Sequence, residues 1–188
     1  MVSSQNIDKL PVEPEADLLV AFVNTRDVED GTDAIATPAE LAAWTAAQLG
    51  EPEAAMPDPA AHARLLALRE SLRALLRANN GGDASKAELR PLREAADRAR
   101  YRTSIGGDGR LALDPEGEAG EALAARLLLA VERLQAAGAW RRLKACPADD
   151  CQWAFFDSSR NHSRTWCSME ECGNREKTRR YRRRKASS

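Results

Sequence analysis

Four cysteines, all within the last 43 residues of this 188-residue chain, constrain its folding more than any other feature. They fall as Cys146-x4-Cys151 and Cys167-x4-Cys172, with fifteen residues between the pairs. A tetrahedral four-sulfur site needs two such pairs. Each pair supplies two thiolates from one turn, and the intervening hairpin brings the pairs together. Zinc suits soft thiolates in this geometry, and an iron–sulfur cluster is its main competitor. Four cysteines close the coordination shell, so the expected cofactor is one structural Zn²⁺ with no open position for chemistry.

The residues around the pairs agree. Pro147-Ala148-Asp149-Asp150 is turn chemistry that curls the first pair into a knuckle. Ser168-Met169-Glu170-Glu171 is a capping box opening a helix at Met169. Cys167 then precedes the cap and Cys172 is the fourth helical residue, positions that normally touch as a hydrophobic staple. The same geometry presents two thiolates to one ion, and the helix N-terminus favours their charge. His162, between the pairs, reads as a surface histidine of a basic loop rather than a ligand. Trp153, Phe155, Phe156 and Trp166 read as the small core of the module.

After Cys172 the chain turns strongly basic. Arg175, Arg179 and Arg183 recur every fourth residue, as do Arg180 and Arg184. Like charges at that spacing cost an isolated helix roughly 0.2–0.5 kcal/mol per pair, and only Glu176 against Arg180 offsets them. A helix that tolerates such repulsion expects an anionic partner, and phosphates are the obvious one. The expected nucleic-acid contacts are Arg160, Asn161 and Arg164 in the loop before the second pair, and Arg175, Lys177, Arg179, Arg180, Arg182, Arg183 and Arg184 on the helix.

Cys172-Gly173-Asn174-Arg175 spells the signature of the CGNR zinc-finger family. The flanking Cys-x4-Cys-x-Trp-x-Phe-x-Asp run, Ser159-Arg160-Asn161, and Ser163-Arg164-x-Trp166-Cys167-Ser168-Met169 resemble that family as well, over roughly residues 140–185. Phe22-Val23-Asn24-Thr25 resembles the ABATE domain that usually precedes this finger. The resemblance implies a bacterial, stress-linked transcription regulator. Gly173 would then permit close approach near the metal, and Asn174 would hydrogen-bond the knuckle.

Charge separates the two parts. The net charge of −1 conceals about +7 over residues 141–188 and −8 over residues 1–140. The basic part either docks on its own acidic domain or meets an external polyanion. Leu and Ala dominate and aromatics are only 5%, which favours helices over sheets. The expected fold is mainly α. A helical domain with one small β-hairpin spans residues 1–140. A treble-clef-like four-cysteine finger, a short hairpin and a basic helix, spans residues 141–188.

Within the first part, residues 1–15 read as a loose leader and Glu15 to Asn24 as a short apolar helix, with a buried strand the alternative because periodicity does not settle so short a run. Arg26 to Ala36 reads as a loop. Thr37-Pro38-Ala39-Glu40 opens a helix that Gly50 ends. Pro52, Pro57 and Pro59 make a stiff link. Ala60 to Ala78 carries a leucine face from Leu65 to Leu76, and His62 reads as a surface residue. A capping box from Ser85 to Glu88 opens a helix running to about Arg100, kinked by Pro91. Tyr101 to Ile105 and Arg110 to Leu113 flank a glycine turn as a hairpin, and Glu118 to Ala137 is the last helix before Gly138.

The longest apolar run, Leu18 to Val23, is far short of the roughly 20 residues of a bilayer span, and no signal peptide is recognisable, so a cytoplasmic protein is expected. The leading expectation is a zinc-dependent DNA-binding regulator whose N-terminal domain senses a small-molecule or protein effector. Asn24, Thr25 and Arg26 are its candidate polar pocket. RNA binding, or a protein-interaction module docking on an acidic partner, is the alternative, and a homodimer is compatible with either. No nucleophile–base pair or phosphate-cradling glycine loop is present, so no enzyme is expected.

Overall fold

The computed structural model describes residues 13–50 and 54–186; the side chains of Glu13, Arg180 and Ala186 are outside that description. The leader expected over residues 1–15 therefore lies mostly outside the described residues, and Glu13 to Glu15 are already helical. Five helices carry the first part: α1 (Glu13–Val23), α2 (Pro38–Leu49), α3 (Pro59–Asn79), α4 (Arg90–Arg98) and α5 (Ala119–Ala136).

Helix α2 begins as its sequence demands. The Thr37 side chain accepts from the Glu40 amide, the Glu40 carboxylate accepts from the Thr37 amide at 2.8 Å, and Gly50 closes the helix at φ +66°. Helix α3 starts from Asp58, whose carboxylate accepts from Ala61 N at 2.7 Å, with Pro59 in the first turn. The Ser85–Glu88 box also forms, but the helix does not start there. Pro91 would drive its ring into the carbonyl of residue 87, so α4 begins only at Arg90 and ends at Arg98.

Three two-stranded antiparallel hairpins accompany the helices. The segment expected as a loop contains a minimal one, β1 (Arg26–Asp27) with β2 (Thr32–Asp33). The glycine-turn hairpin pairs β3 (Arg100–Ile105) with β4 (Leu111–Glu116) over six residues. The third pairs β5 (Leu143–Ala145) with β6 (Ala154–Phe156) and holds the Cys146–Cys151 knuckle at its tip.

One continuous apolar core joins these elements. Leu19, Phe22 and Val23 of α1, Leu65, Leu68, Leu72 and Leu76 of α3, and Leu123, Leu127 and Leu134 of α5 pack with Leu143, Ala145 and Ala154 of the third hairpin. The finger is thus rooted in the main core through β5 and β6. His62 is buried, not at the surface: its Nε2 lies 2.8 Å from the Ile35 carbonyl, which ties α3 to the segment before α2. The aromatic residues also divide differently from expectation. Phe155 is buried and Trp166 packs against the cysteines, but Phe156 packs on the main core and Trp153 is exposed. Among the described residues, no helix is long and apolar enough to cross a membrane.

Candidate metal centre and nucleic-acid interface

The third hairpin supplies Cys146 and Cys151 on one side. On the other, Cys167 precedes the Ser168 cap and Cys172 lies in the π-type turn Met169–Gly173 that leads into α6 (Asn174–Ala186). Ser168 Oγ accepts from Glu171 N at 3.2 Å, the bond expected of the capping residue. The four sulfur atoms all lie within 4.8 Å of one another, with Cys151 to Cys167 at 3.5 Å and Cys167 to Cys172 at 3.6 Å. A tetrahedron with zinc–sulfur bonds of about 2.3 Å has sulfur–sulfur edges of about 3.8 Å. The donor set therefore fits one zinc ion held by Cys146, Cys151, Cys167 and Cys172.

Electrostatics points the same way. Burial is the main cause that pushes the Cys151 thiol up to about 12, against the lowering by hydrogen bonds from Trp153 and Cys167, and burial together with the other three sulfurs pushes Cys167 higher still. Four thiolates cannot share so small a space unless a cation neutralises them. His162 stands apart from this group, at φ +50°, with its carbonyl turned to Lys144.

The loop between the cysteine pairs is folded around a buried ion pair. Lys144 projects from β5, and its ammonium donates to Asp157 Oδ2 at 2.7 Å, His162 O at 2.8 Å and Arg164 O at 2.9 Å. All three of its N–H bonds are thereby used. Asp157, fully buried, also accepts from Ser159 N, Ser159 Oγ and Arg164 N. Burial alone would raise the Asp157 carboxyl; the Lys144 and Ser159 hydrogen bonds outweigh it and hold the group down at about 2. Asn80 at the end of α3 closes the loop from behind, donating to Ala145 O at 2.9 Å and Thr165 O at 2.7 Å.

The expected nucleic-acid residues separate into two sets. Arg164 stacks over the Phe155 ring at 4.8 Å and donates to the Trp166 and Cys167 carbonyls, so it braces the second cysteine pair. Arg175 donates to Glu29 at 2.7 Å and to Cys172 Sγ at 3.4 Å, and lies 3.6 Å from Asp150. Arg179 donates to Asp150 at 2.7 Å, and Arg183 to Glu176 at 2.6 Å. Arg160, Asn161, Lys177, Arg182 and Arg184 are exposed, and the side chain of Arg180 is outside the described residues. One face of α6 thus rests on the knuckle and on the β1–β2 turn, while Lys177 and Arg184, two helical turns apart, point away from it.

Two family models match the chain, one over each part. Residues 16–145 match the ABATE model, described as "Putative stress-induced transcription regulator". The chain belongs to the ABATE family. Residues 142–185 match the CGNR zinc finger that follows it. No curated protein matches the chain. The two family matches overlap at residues 142–145, which include β5, the strand that carries Lys144 and roots the finger in the ABATE core.

The polar residues flagged near α1 of the ABATE domain are all engaged internally or paired. Asn24 brackets Ala154, donating to its carbonyl at 2.9 Å and accepting from its amide at 2.7 Å, and so completes the edge of β6. Thr25 donates to Phe22 O at 2.8 Å and accepts from Arg69, which also grips Asp33 with both terminal nitrogens. Arg26 is exposed, 3.7 Å from Glu70. Sequence reasoning missed Arg69 and Arg73, both buried on α3. Arg73 donates to Val23 O at 2.8 Å and to Gln152 O at 3.0 Å, within the knuckle, where Gln152 holds φ +56°. One arginine therefore links α1, α3 and the metal-bearing turn.

In the CGNR motif, Gly173 and Asn174 differ in detail from the expectation. A Cβ at Gly173 would lie 2.4 Å from the Met169 sulfur and 3.3 Å from the Trp166 ring, so glycine admits these side chains over the turn. Asn174 donates to Glu170 O at 3.1 Å, within its own turn rather than to the first knuckle.

Proposed function

We propose that this ABATE-family chain is a zinc-dependent DNA-binding regulator in which the finger contacts DNA and the N-terminal domain senses an effector. The observation that supports it most is the division of α6. Arg175 and Arg179 hold the helix to Glu29 and Asp150, and this anchoring presents Lys177 and Arg184 outward, while Arg160 and Asn161 of the loop are exposed as well. Docking of the basic helix on the chain's own acidic groups accounts for Arg175 and Arg179 and leaves the outward Lys177 for phosphates. In this reading zinc is structural, the closed sulfur shell offers no reaction site, and the chain is not an enzyme.

Contact with about six phosphates makes DNA affinity fall roughly a thousandfold between 50 and 200 mM salt. Lys177→Ala is expected to weaken binding to all sequences alike and to lower the salt slope by about 1, with zinc content unchanged. Arg175→Ala is expected instead to loosen the finger, seen as faster zinc loss to a chelator. Fluorescence anisotropy with a labelled duplex, titrated at several salt concentrations, measures the first two effects. An affinity constant across that salt range removes the DNA-binding reading.

A further inference from the structure

The three helices α3, α4 and α5 leave a cavity of ≈ 240 Å³ that the side chains of the described residues do not fill. Leu65 and Leu68 of α3, Ala95 and Ala99 at the end of α4, and Gly120 and Ala124 of α5 line it. It is a groove open to solvent on one side, with half-buried Ala95, Ala99 and Ala124 on its walls. Here small residues keep the gap open. A Cβ at Gly120 would sit 2.9 Å from Ala61 Cβ, so α5 already approaches α3 as closely as it can at that end, and the space persists beside this contact. Helix α4, which has no fully buried residue, forms the outer wall.

The rim carries two arginines, Arg64 and Arg98, and two glutamates, Glu94 and Glu121. Glu94 is paired with Arg90 at 3.2 Å, and Glu121 faces Arg64 at 3.9 Å. Arg98, the remaining charged residue of the lining, has no hydrogen-bond or ion-pair partner among the described residues. An apolar slot lined at its solvent side by the exposed Arg98 matches a compact apolar body bearing one carboxylate, which arginine can bind through two parallel hydrogen bonds.

We infer that this slot binds a small aromatic or branched aliphatic carboxylate, with the apolar body against Leu65, Leu68 and Ala124 and the carboxylate on Arg98. The inference rests on the sensing half of the proposed function and gives it a site. It is independent of whether the finger binds DNA.

Isothermal titration of the full-length zinc-loaded protein with 2-naphthoate, and with neutral 2-naphthylmethanol, tests it without DNA. Wild type is expected to bind naphthoate at least tenfold more tightly than the alcohol. Arg98→Gln is expected to remove that preference while leaving the alcohol unchanged, and Ala95→Phe, which fills the slot, to abolish both. Alanine methyl NMR of the unmodified protein gives a second readout that needs no variant. Shifts at Ala95, Ala99 and Ala124 on adding naphthoate support the site. Absence of binding at millimolar naphthoate, equal affinity for acid and alcohol, or shifts confined to the exposed β3–β4 hairpin overturn it. The salt titration judges DNA binding separately, so failure of the slot and failure of the DNA reading are distinguishable.

Discussion

Removing the zinc is expected to unfold residues 157–186 while α1 to α5 remain folded. Structural zinc contributes an apparent binding energy of roughly 10–16 kcal/mol at neutral pH, far more than any other single interaction in the finger. The segment from Asp157 to α6 has little else to hold it. Its buried packing runs through the cysteine cluster, Trp166 and the Lys144–Asp157 pair; the Arg175–Glu29 and Arg179–Asp150 pairs are exposed and contribute little each, and α6 is so basic that it would not be stable alone. The β5–β6 hairpin is different, because Leu143, Ala145 and Ala154 belong to the main core. Its strands should survive zinc removal with only the knuckle loosened.

Hydrogen exchange on the protein treated with a strong chelator measures this directly. Protection should be lost across α6 and the loop before it and retained in α3 and α5. Cys172→Ser should give the same pattern, and its zinc content should fall from one ion per chain to well below that. Uniform protection in the chelated protein would contradict the metal's assigned role, and global unfolding would contradict the separate rooting of the hairpin.

The second large effect is expected at Lys144. Replacing it with Ala leaves Asp157 buried with an uncompensated charge and leaves the His162 and Arg164 carbonyls without their donor. Breaking one side of a buried, hydrogen-bonded ion pair costs about 3–5 kcal/mol. Much of that cost should fall on the loop that delivers Cys167 to the metal, so zinc affinity should fall together with stability. Urea unfolding of zinc-loaded wild type and Lys144→Ala, followed by far-UV circular dichroism with zinc release monitored by a colorimetric chelator, checks both. Lys144→Arg is a useful companion. It keeps the charge, but its planar fork does not match three acceptors arranged around one ammonium, so it should recover only part of the loss. A Lys144→Ala protein as stable as wild type would mean that the loop is held by something other than this pair.

The sequence carried the parts of the fold that local chemistry decides. Thr37 and Glu40 form the reciprocal cap their spacing implies, Gly50 and Gly138 take the left-handed conformation that ends α2 and α5, and the glycine turn closes the β3–β4 hairpin. The four cysteines converge because each pair lies on a turn whose residues specify it. Local rules misled where a neighbour overrode them, as when Pro91 delayed α4 past a capping box that nevertheless forms.

What could not be read was the long-range polar framework. Arg69 and Arg73 sit on a helix whose leucine spacing already defines an apolar face, and nothing local says that two arginines on α3 are also buried. Their partners, Asp33, Val23 O and Gln152 O, are 36 to 79 residues away in sequence. Lys144 gave a signal that could have been used, a lone cation between Leu143 and Ala145 in an otherwise apolar strand, facing an Asp-Ser-Ser turn thirteen residues on. Reading α6 as a uniform row of phosphate contacts likewise missed Glu29 and Asp150, whose acidity was visible but whose position was not.

The central claim is that zinc holds the finger in the one geometry that offers α6 to DNA. Selection of bound duplexes from a random-sequence pool, carried out in parallel with zinc-loaded wild type and with Cys172→Ser, tests it most directly. The account predicts a shared enriched sequence with wild type and none with the variant. The same enrichment from both proteins, or no enrichment from either, would contradict it.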